Sequence, residues 1–377
     1  MGPLSTFLLL CLFSMNTQGA AENEEKDAMN ASEKAASSEV RQPRDLVGYT
    51  HTAEGIAQVV DLSLQAEAEL MAVDRQRLDL KEDTAFMAAI SPHDDYQYAQ
   101  QVYVHLYPWL KAKHVILIGV AHRARNFPES EGRLVFDAYS AWHGPYGDVP
   151  ISCLRADLLA GLSKENALVN NEVHAAEHSL EGMIPFLQHF NRDVTIVPVL
   201  APYMSLERLL ELAEKTADIL SESMKTRGLS MGHDVAILIS SDSVHYGDKG
   251  WGEKCYADFG VDGKGYDQAV ARDRALISDC LEGELSIEKI TQFYRQVVAD
   301  DFHEYKITWC GRFSIPLGLA LVFRLTEDLG LDAPKGALLR YGTTLDPGRC
   351  DPGVPGLNVT AEANLHHWVG FASVGYR

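Results

Sequence analysis

The sequence predicts an α/β protein with a mainly parallel sheet that helices cover on both faces. From about residue 84 onward, short β-branched apolar runs alternate with helix-length amphipathic patterns. The composition is that of an ordinary globular protein, with 46% hydrophobic and 23% charged residues. The 377 residues are enough for one large domain with a core of ordinary size. Alternation of this kind is typical of parallel strands joined by crossover helices.

The N-terminus is predicted to be an export signal followed by a disordered spacer. Leu4 to Phe13 has the length of a signal h-region and is too short to span a bilayer. Small residues place the cleavage site after Ala21 or after Gly19. The next residues are rich in Ala, Glu, Ser and Lys and cannot bury enough apolar surface to fold. We therefore expect a signal peptide at 1–21, a spacer at 22–50 and an exported protein with no stable membrane span after cleavage.

The elements of the α/β domain, residues 51–377, follow in order. An amphipathic helix over residues 55–80 is expected to pack on the domain. The predicted strands share a short β-branched pattern and cover residues 85–91, 115–120, 134–141, 194–200, 235–240, 337–344 and 366–374. The predicted helices share apolar residues three and four positions apart and cover residues 98–110, 177–190, 206–223, 266–281, 286–298 and 312–329.

The charge balance argues against nucleic acid as a partner. The chain has 33 Lys and Arg against 53 Asp and Glu, a formal net charge of −20. Such an excess repels phosphate backbones, so binding would need a local basic patch. The sequence has only scattered basic pairs, such as Arg123 and Arg125. We expect no nucleic-acid partner and leave open whether the ligand is a small molecule or a peptide.

Polar side chains gather where the predicted strands end. His93 follows the first strand, His122 follows the second, and the SSDSVHYG run follows the strand at 235–240. Ligands bind at the carboxyl ends of strands in an α/β sheet, because the crossover loops leave a crevice there. His93 and His122 are separated by one strand–helix–strand unit, so we expect them to flank each other on adjacent strands. His366 and His367 fall in a predicted strand and are interpreted as structural.

Two neutral imidazoles that converge in this way are good metal ligands. Cys310 is the candidate third ligand, because it precedes a predicted helix whose dipole favours the thiolate. Two His and one Cys leave an open position for substrate or dioxygen. Cys310 is also compatible with a half-cystine, since signal cleavage would leave five cysteines.

Seven segments from about residue 84 to the C-terminus carry a family resemblance. They are Ser91-Pro92-His93 with Tyr96 and Tyr98, Ile118-Gly119-Val120-Ala121-His122, Glu177-His178-Ser179-Leu180-Glu181 with Pro185, Ile196-Val197-Pro198-Val199-Leu200, Ser240-Ser241-Asp242-Ser243-Val244-His245-Tyr246-Gly247, Tyr266-Asp267, and Cys310-Gly311-Arg312 with Ile315. In this order they resemble the Memo family, whose microbial members are often called AmmeMemoRadiSam system protein B. The resemblance implies a Memo-like domain over residues 51–377, similar in fold to class III extradiol dioxygenases.

The resemblance also implies a metal site. Family members hold iron or copper with two His and one Cys, and matching gives His93, His122 and Cys310 as the ligands. This donor set also suits zinc. The implied function is an exported metalloprotein with oxidoreductase-type chemistry on an unknown substrate. Ring cleavage is not implied, because Cys310 replaces the carboxylate of the dioxygenases. The alternative is a non-catalytic module that binds a peptide or small molecule in the same crevice.

The catalytic candidates come from the same matching. His245 matches the acid/base residue beside the metal, and Asp242 is expected to assist its proton transfer. His178 matches a further residue near the site. The chain departs from the family where Asp94 and Asp95 stand in place of the usual Ala-Gly, which is expected to add negative charge beside the metal.

Overall fold

The computed structural model describes residues 39–251 and 254–377. The predicted signal peptide at 1–21 and residues 22–38 of the predicted spacer lie outside these ranges. Among the described residues, no helix has both the length and the apolar character that a membrane span needs.

Within these ranges the chain forms thirteen strands and nine α-helices. The strands are β1 (Val40–Arg41), β2 (Ala88–Ser91), β3 (His114–Val120), β4 (Leu134–Phe136), β5 (Ala141–Trp142), β6 (Val149–Pro150), β7 (Ala167–Val169), β8 (Thr195–Ala201), β9 (Val235–Ser240), β10 (His245–Gly247), β11 (Gly283–Glu284), β12 (Lys335–Thr343) and β13 (His367–Tyr376). The helices are α1 (Ala53–Arg77), α2 (Tyr96–Tyr103), α3 (Leu154–Gly161), α4 (Asn171–Ala175), α5 (Met183–Phe190), α6 (Leu206–Arg227), α7 (Gly263–Cys280), α8 (Ile287–Val297) and α9 (Ser314–Asp328).

The main sheet is mixed, so the prediction of a mainly parallel sheet is wrong. Its strand order is β11-β12-β13-β2-β9-β3-β8-β4-β7, and β10 pairs with β13. The strands β2, β9, β3 and β8 run parallel. In contrast, β11, β12, β13 and β2 pair antiparallel, as do β4 and β8. The chain returns from β12 to β13 without a crossover helix, and a direct return of this kind gives an antiparallel pair.

Helices cover both faces of the sheet. Along β3, Ile116 and Ile118 pack in the core formed with α6 and α9, whereas Val115 and Leu117 pack in the core formed with α1, α2 and α5. All four side chains are buried. Burial on both faces explains the unbroken apolar run of the sequence here, because a strand covered on both sides has no polar face.

Several predicted helices have different boundaries in the structure. The one predicted at 98–110 covers Tyr96–Tyr103 and is followed by a short 3-10 turn at Tyr107–Trp109. The one predicted at 206–223 continues to Arg227 and ends at Gly228, whose φ of +65° is a left-handed conformation that glycine adopts without strain. The one predicted at 177–190 begins only at Met183. The turn that precedes it carries His178.

Residues 39–50, assigned above to the spacer, pack on the domain instead. β1 pairs with β5 in a small second sheet of order β1-β5-β6. The buried guanidinium of Arg41 pairs with Glu181 at 2.7 Å and donates to the carbonyl oxygen of His174. Tyr49 is also buried and donates to the carbonyl oxygen of His93. This segment is therefore part of the folded domain, and it borders the candidate metal centre.

Candidate metal centre

Three neighbouring strands deliver polar groups to one edge of the sheet. His93 follows β2, Asp242 follows β9 and His122 follows β3. The prediction that the two histidines come from adjacent strands is wrong, because β9 lies between β2 and β3. Their rings nevertheless lie 5.2 Å apart, centroid to centroid. The Asp242 carboxylate from the central strand accepts a hydrogen bond of 2.9 Å from the His93 backbone N–H.

Hydrogen bonds fix the tautomer of His93. Its Nδ1 lies 2.8 Å from Ser240 Oγ, and the Ser240 hydroxyl donates its hydrogen to the Ser179 carbonyl. Ser240 must therefore accept from His93 Nδ1–H, which leaves a lone pair on Nε2. Burial, followed by His122 and His178, lowers the pKa of His93 well below its usual range. The ring is thus neutral, and its Nε2 lies 3.2 Å from Asp242 Oδ2, so a metal ion there would replace this contact.

Glu177 orients His122 in the same manner. The His122 Nδ1 lies 2.8 Å from Glu177 Oε1, and the His122 backbone N–H donates to the other oxygen. Burial would raise the pKa of Glu177, but His122 and His178 outweigh it and lower the pKa to about 2. The ionised carboxylate can only accept, so Nδ1 carries the hydrogen, and Nε2 becomes a ligand atom once the ring is neutral. Burial would also lower the pKa of His122, but Glu177 outweighs it and raises the pKa.

His178 forms the neighbouring wall of the site. Its ring stacks on that of His122, with centroids 4.9 Å apart and planes 10° from parallel. Burial and the nearby His122 lower the pKa of His178 to about 4, so this ring is neutral at pH 7.

Cys310 contacts His245. The Cys310 Sγ lies 2.8 Å from His245 Nε2. The expectation that a helix dipole favours the thiolate is wrong for the metal-free site, because the helix begins only at Ser314. Burial, followed by the charges of Asp242 and Asp94, raises the pKa of the Cys310 thiol well above its usual range. The metal-free sulfur is therefore a thiol, which donates to His245.

The half-cystine interpretation of Cys310 is contradicted. All five cysteines in the described part of the chain are free, namely Cys153, Cys255, Cys280, Cys310 and Cys350.

The residues present fit a transition metal. Ligand atoms of His93, His122 and Cys310 all lie within 4.8 Å of one another. Ligands bind such an ion at about 2.0–2.3 Å, so small side-chain movements bring all three atoms onto one ion. Two other trios meet the same distance limit, His122–Glu177–His178 and Asp242–His245–Cys310. The trio His93–His122–Cys310 fits best, because both imidazoles are held through Nδ1 and direct Nε2 into the site, and sulfur with imidazole suits iron, copper or zinc.

A cavity of about 750 Å³ opens at this edge of the sheet. Five of the six predicted site residues line it, namely His93, His122, His178, Asp242 and His245. Cys310 is not part of the lining and reaches it through His245. The remaining walls come partly from two chain ends, with Arg44, Asp45, Leu46, Val47 and Tyr49 on one side and Thr360, Ala361, Ala363, His367 and Val369 on the other.

Several lining residues escaped the sequence analysis. Tyr49 was assigned to the spacer. His367 was interpreted as structural, yet it lines the cavity with its ring stacked on Trp251 at 4.2 Å. Ser240 begins the SSDSVHYG run and could have been noticed there. Its hydrogen bond to His93, however, depends on where the fold places His93.

Comparison with known proteins places the chain in a family. Residues 63–347 match the family described as "Memo-like protein". A "MEMO1 family protein" of Methanosarcina mazei is 30% identical over 173 residues, which cover 45% of this chain and 57% of the relative. Another, of Methanococcoides burtonii, is 29% identical over 262 residues, or 69% of this chain and 80% of the relative. A third, of Methanopyrus kandleri, is 24% identical over 264 residues, or 68% and 76%. The match thus spans a little over half the length of the first relative.

Proposed function

Because the chain belongs to the Memo-like protein family, we propose that it is an exported metalloprotein that holds iron or copper through His93, His122 and Cys310. The observation that carries this proposal is the convergence of two imidazoles and one sulfur within 4.8 Å. Both imidazoles have Nδ1 engaged by an acceptor, as metal-ligating histidines do. A bound iron or copper ion would supply Lewis-acid and electron-transfer chemistry. We assign the protein oxidoreductase-type chemistry on a substrate that enters the cavity.

The proton transfers fall to His245 and Asp242. Ligation needs the Cys310 thiolate, so the thiol proton must leave, and His245 Nε2 is 2.8 Å from the sulfur. Burial, His122 and His367 lower the pKa of His245 to about 3, so the ring passes a proton on rather than keeping it. Asp242 Oδ2 is 3.9 Å from the same Nε2, and burial raises its pKa to about 7. We assign proton exchange near neutral pH to Asp242 and the contact with the thiol to His245; at 3.9 Å the two side chains must approach each other before a proton passes between them. His178 is neutral and lies beside His122. We assign it to the catalytic side of the cavity.

Elemental analysis tests the metal site. We expect about one iron or copper ion per chain in protein purified without added metal, and a loss of that metal in His93→Ala and in Cys310→Ser. Matched controls are His303→Ala and Cys153→Ser, which change residues of the same types at exposed or partly exposed positions. These controls should keep the metal. Equal metal content in the wild type, His93→Ala and Cys310→Ser would refute the proposal.

Export is tested separately. The proposal is supported by the apolar run from Leu4 to Phe13 and the small residues that follow it. We expect N-terminal sequencing of the exported protein to begin at Ala20 or Glu22. A chain that stays inside the producing cell with its N-terminus intact would contradict export.

A non-catalytic binding module is the second candidate. The cavity volume of about 750 Å³ lies in the range of ordinary ligand pockets, about 300–1,000 Å³. Its mouth carries the exposed apolar side chains of Leu46 and Val47. Ligand binding that is equally tight in the wild type and in Cys310→Ser would favour this module over the metal-dependent enzyme.

A further inference from the structure

Asp273 on α7 is a buried carboxylate that the site chemistry does not use. Its residue exposure is 0%. One oxygen accepts a hydrogen bond of 2.8 Å from the Trp309 indole Nε1–H. The other oxygen accepts from the Val244 backbone N–H at 3.2 Å and from the Tyr341 hydroxyl at 3.0 Å. All three partners are neutral donors, so the carboxylate is held in the interior mainly by hydrogen bonds, with the charge of Arg272 as a smaller contribution.

Two of these donors are the chain neighbours of site residues. Val244 precedes His245, and Trp309 precedes Cys310. The two segments also pair directly, since Val244 and Trp309 form an antiparallel bridge. The Asp273 carboxylate therefore spans the two backbone segments whose next residues make the 2.8 Å contact between His245 Nε2 and Cys310 Sγ.

Only a carboxylate can serve all three donors at once. Asp has two oxygens that accept and no hydrogen to donate, whereas Asn has one oxygen and an NH₂ group. In Asp273→Asn the NH₂ group would face at least one N–H or O–H donor. The Tyr341 hydroxyl can turn to accept, but the Val244 and Trp309 N–H groups cannot. Loss of either bond removes the tie between Asp273 and one of the two segments.

We propose that Asp273 is a positioning residue of the metal centre, which holds Cys310 and His245 in register through Trp309 and Val244. The metal-binding part of this inference rests on the proposed function. Some residues hold a metal ligand in place without binding the metal. Their mutation typically weakens metal affinity about 10–100-fold.

Asp137 provides a matched control on another part of the molecule. It is also 0% exposed, accepts from the Trp142 indole Nε1–H at 2.6 Å, and pairs with Arg155. None of these three is a predicted site residue. Asp137→Asn therefore perturbs a buried carboxylate and its indole bond without touching the metal centre.

The experiment makes two measurements. Co²⁺ affinity is followed by the sulfur-to-cobalt absorption band. Iodoacetamide labelling of Cys310 in the metal-free protein is followed by peptide mass spectrometry. Cys280 is the internal reference, because it is buried on the same helix as Asp273. We expect Asp273→Asn to weaken Co²⁺ binding about 10–100-fold and to speed Cys310 labelling while Cys280 stays protected. Asp137→Asn should change neither quantity. Trp309→Phe, which removes one donor and keeps an aromatic ring, should act in the same direction as Asp273→Asn.

Two results would overturn the positioning role. One is unchanged Co²⁺ affinity and unchanged Cys310 labelling in Asp273→Asn and Trp309→Phe. The other is equal labelling of Cys280 and Cys310 in both variants, which would show a general loss of stability. If the wild type binds no Co²⁺, the proposed function fails, but the labelling of Cys310 relative to Cys280 still tests the positioning role.

Discussion

Replacement of Arg41 by alanine is expected to lower the free energy of unfolding by about 3–5 kcal/mol, the usual cost of removing one partner of a buried ion pair. Arg41 is only 4% exposed, and its guanidinium pairs with Glu181 at 2.7 Å. It also donates to the carbonyl oxygens of His174 and Glu177 and lies 4.2 Å from the Trp142 ring centroid. We expect the lower part of this range, because Glu181 keeps the backbone donors of residues 44 and 45.

Urea unfolding followed by circular dichroism measures this change. The control is Arg324→Ala, which breaks an exposed pair with Glu327 and should cost less than about 1 kcal/mol. Limited proteolysis should also cut Arg41→Ala sooner than the wild type within residues 42–47, because β1 loses its anchor. In the double variant with Glu181→Gln, the cost should be smaller than the sum of the single costs. The reasoning is refuted if Arg41→Ala costs no more than Arg324→Ala, or if the single costs add.

Three further predictions concern pH, ligand orientation and metal removal. Burial would lower the pKa of His105, but hydrogen bonds to Asp74 and Glu67 outweigh it and raise the pKa. The stabilisation by protonated His105 is complete below about pH 6.5 and is lost as the pH rises through the raised pKa of the folded state. The stability difference between the wild type and His105→Gln should therefore shrink from pH 6 to pH 9 in thermal unfolding. Ser240→Ala should weaken metal affinity about 10–100-fold in a chelator competition titration, whereas Ser314→Ala, which removes a buried hydroxyl that contacts only the Ser240 carbonyl, should leave it unchanged. Removal of the metal should lower the unfolding midpoint, by the equivalent of about 2.7 kcal/mol when free metal stood at 100 times its Kd; an unchanged midpoint would contradict a structural contribution of the metal.

The parts of the site that the sequence predicts well are those set by local patterns. A buried strand is visible as an apolar run, and the residue after its last position lies at the carboxyl edge of the sheet. His93, His122 and Asp242 were found in this way, and the structure brings them together. Cys310 follows no predicted strand; its position before a predicted helix and the family resemblance made it the third candidate ligand, and its contact with His245 was not predicted.

The parts that the sequence misses depend on contacts between distant residues. Strand order is one, since no local signal tells that β9 lies between β2 and β3. The segment around Arg41 is another, because its partner Glu181 is 140 positions away. The protonation of Cys310 is a third, because the local helix rule contains neither the burial of the sulfur nor the charge of Asp242.

Asp95 connects the proposed metal centre with the outer walls of the cavity. The Asp95 carboxylate accepts hydrogen bonds from the Thr360 backbone N–H and hydroxyl, so it anchors the C-terminal wall. The Tyr96 N–H donates to the carbonyl of Gly48, where a Cβ would lie 2.0 Å from Asp95 Oδ1, so a larger residue at this crossing would displace the Asp95 carboxylate. Thr360 and Gly48 both lie outside residues 63–347, the range that matches the family, as does half of the cavity lining. The proposed metal ligands all lie inside it. Asp95 holds Thr360 and its neighbour Tyr96 holds Gly48, so the residues that follow the first proposed ligand anchor both outer segments of the cavity lining.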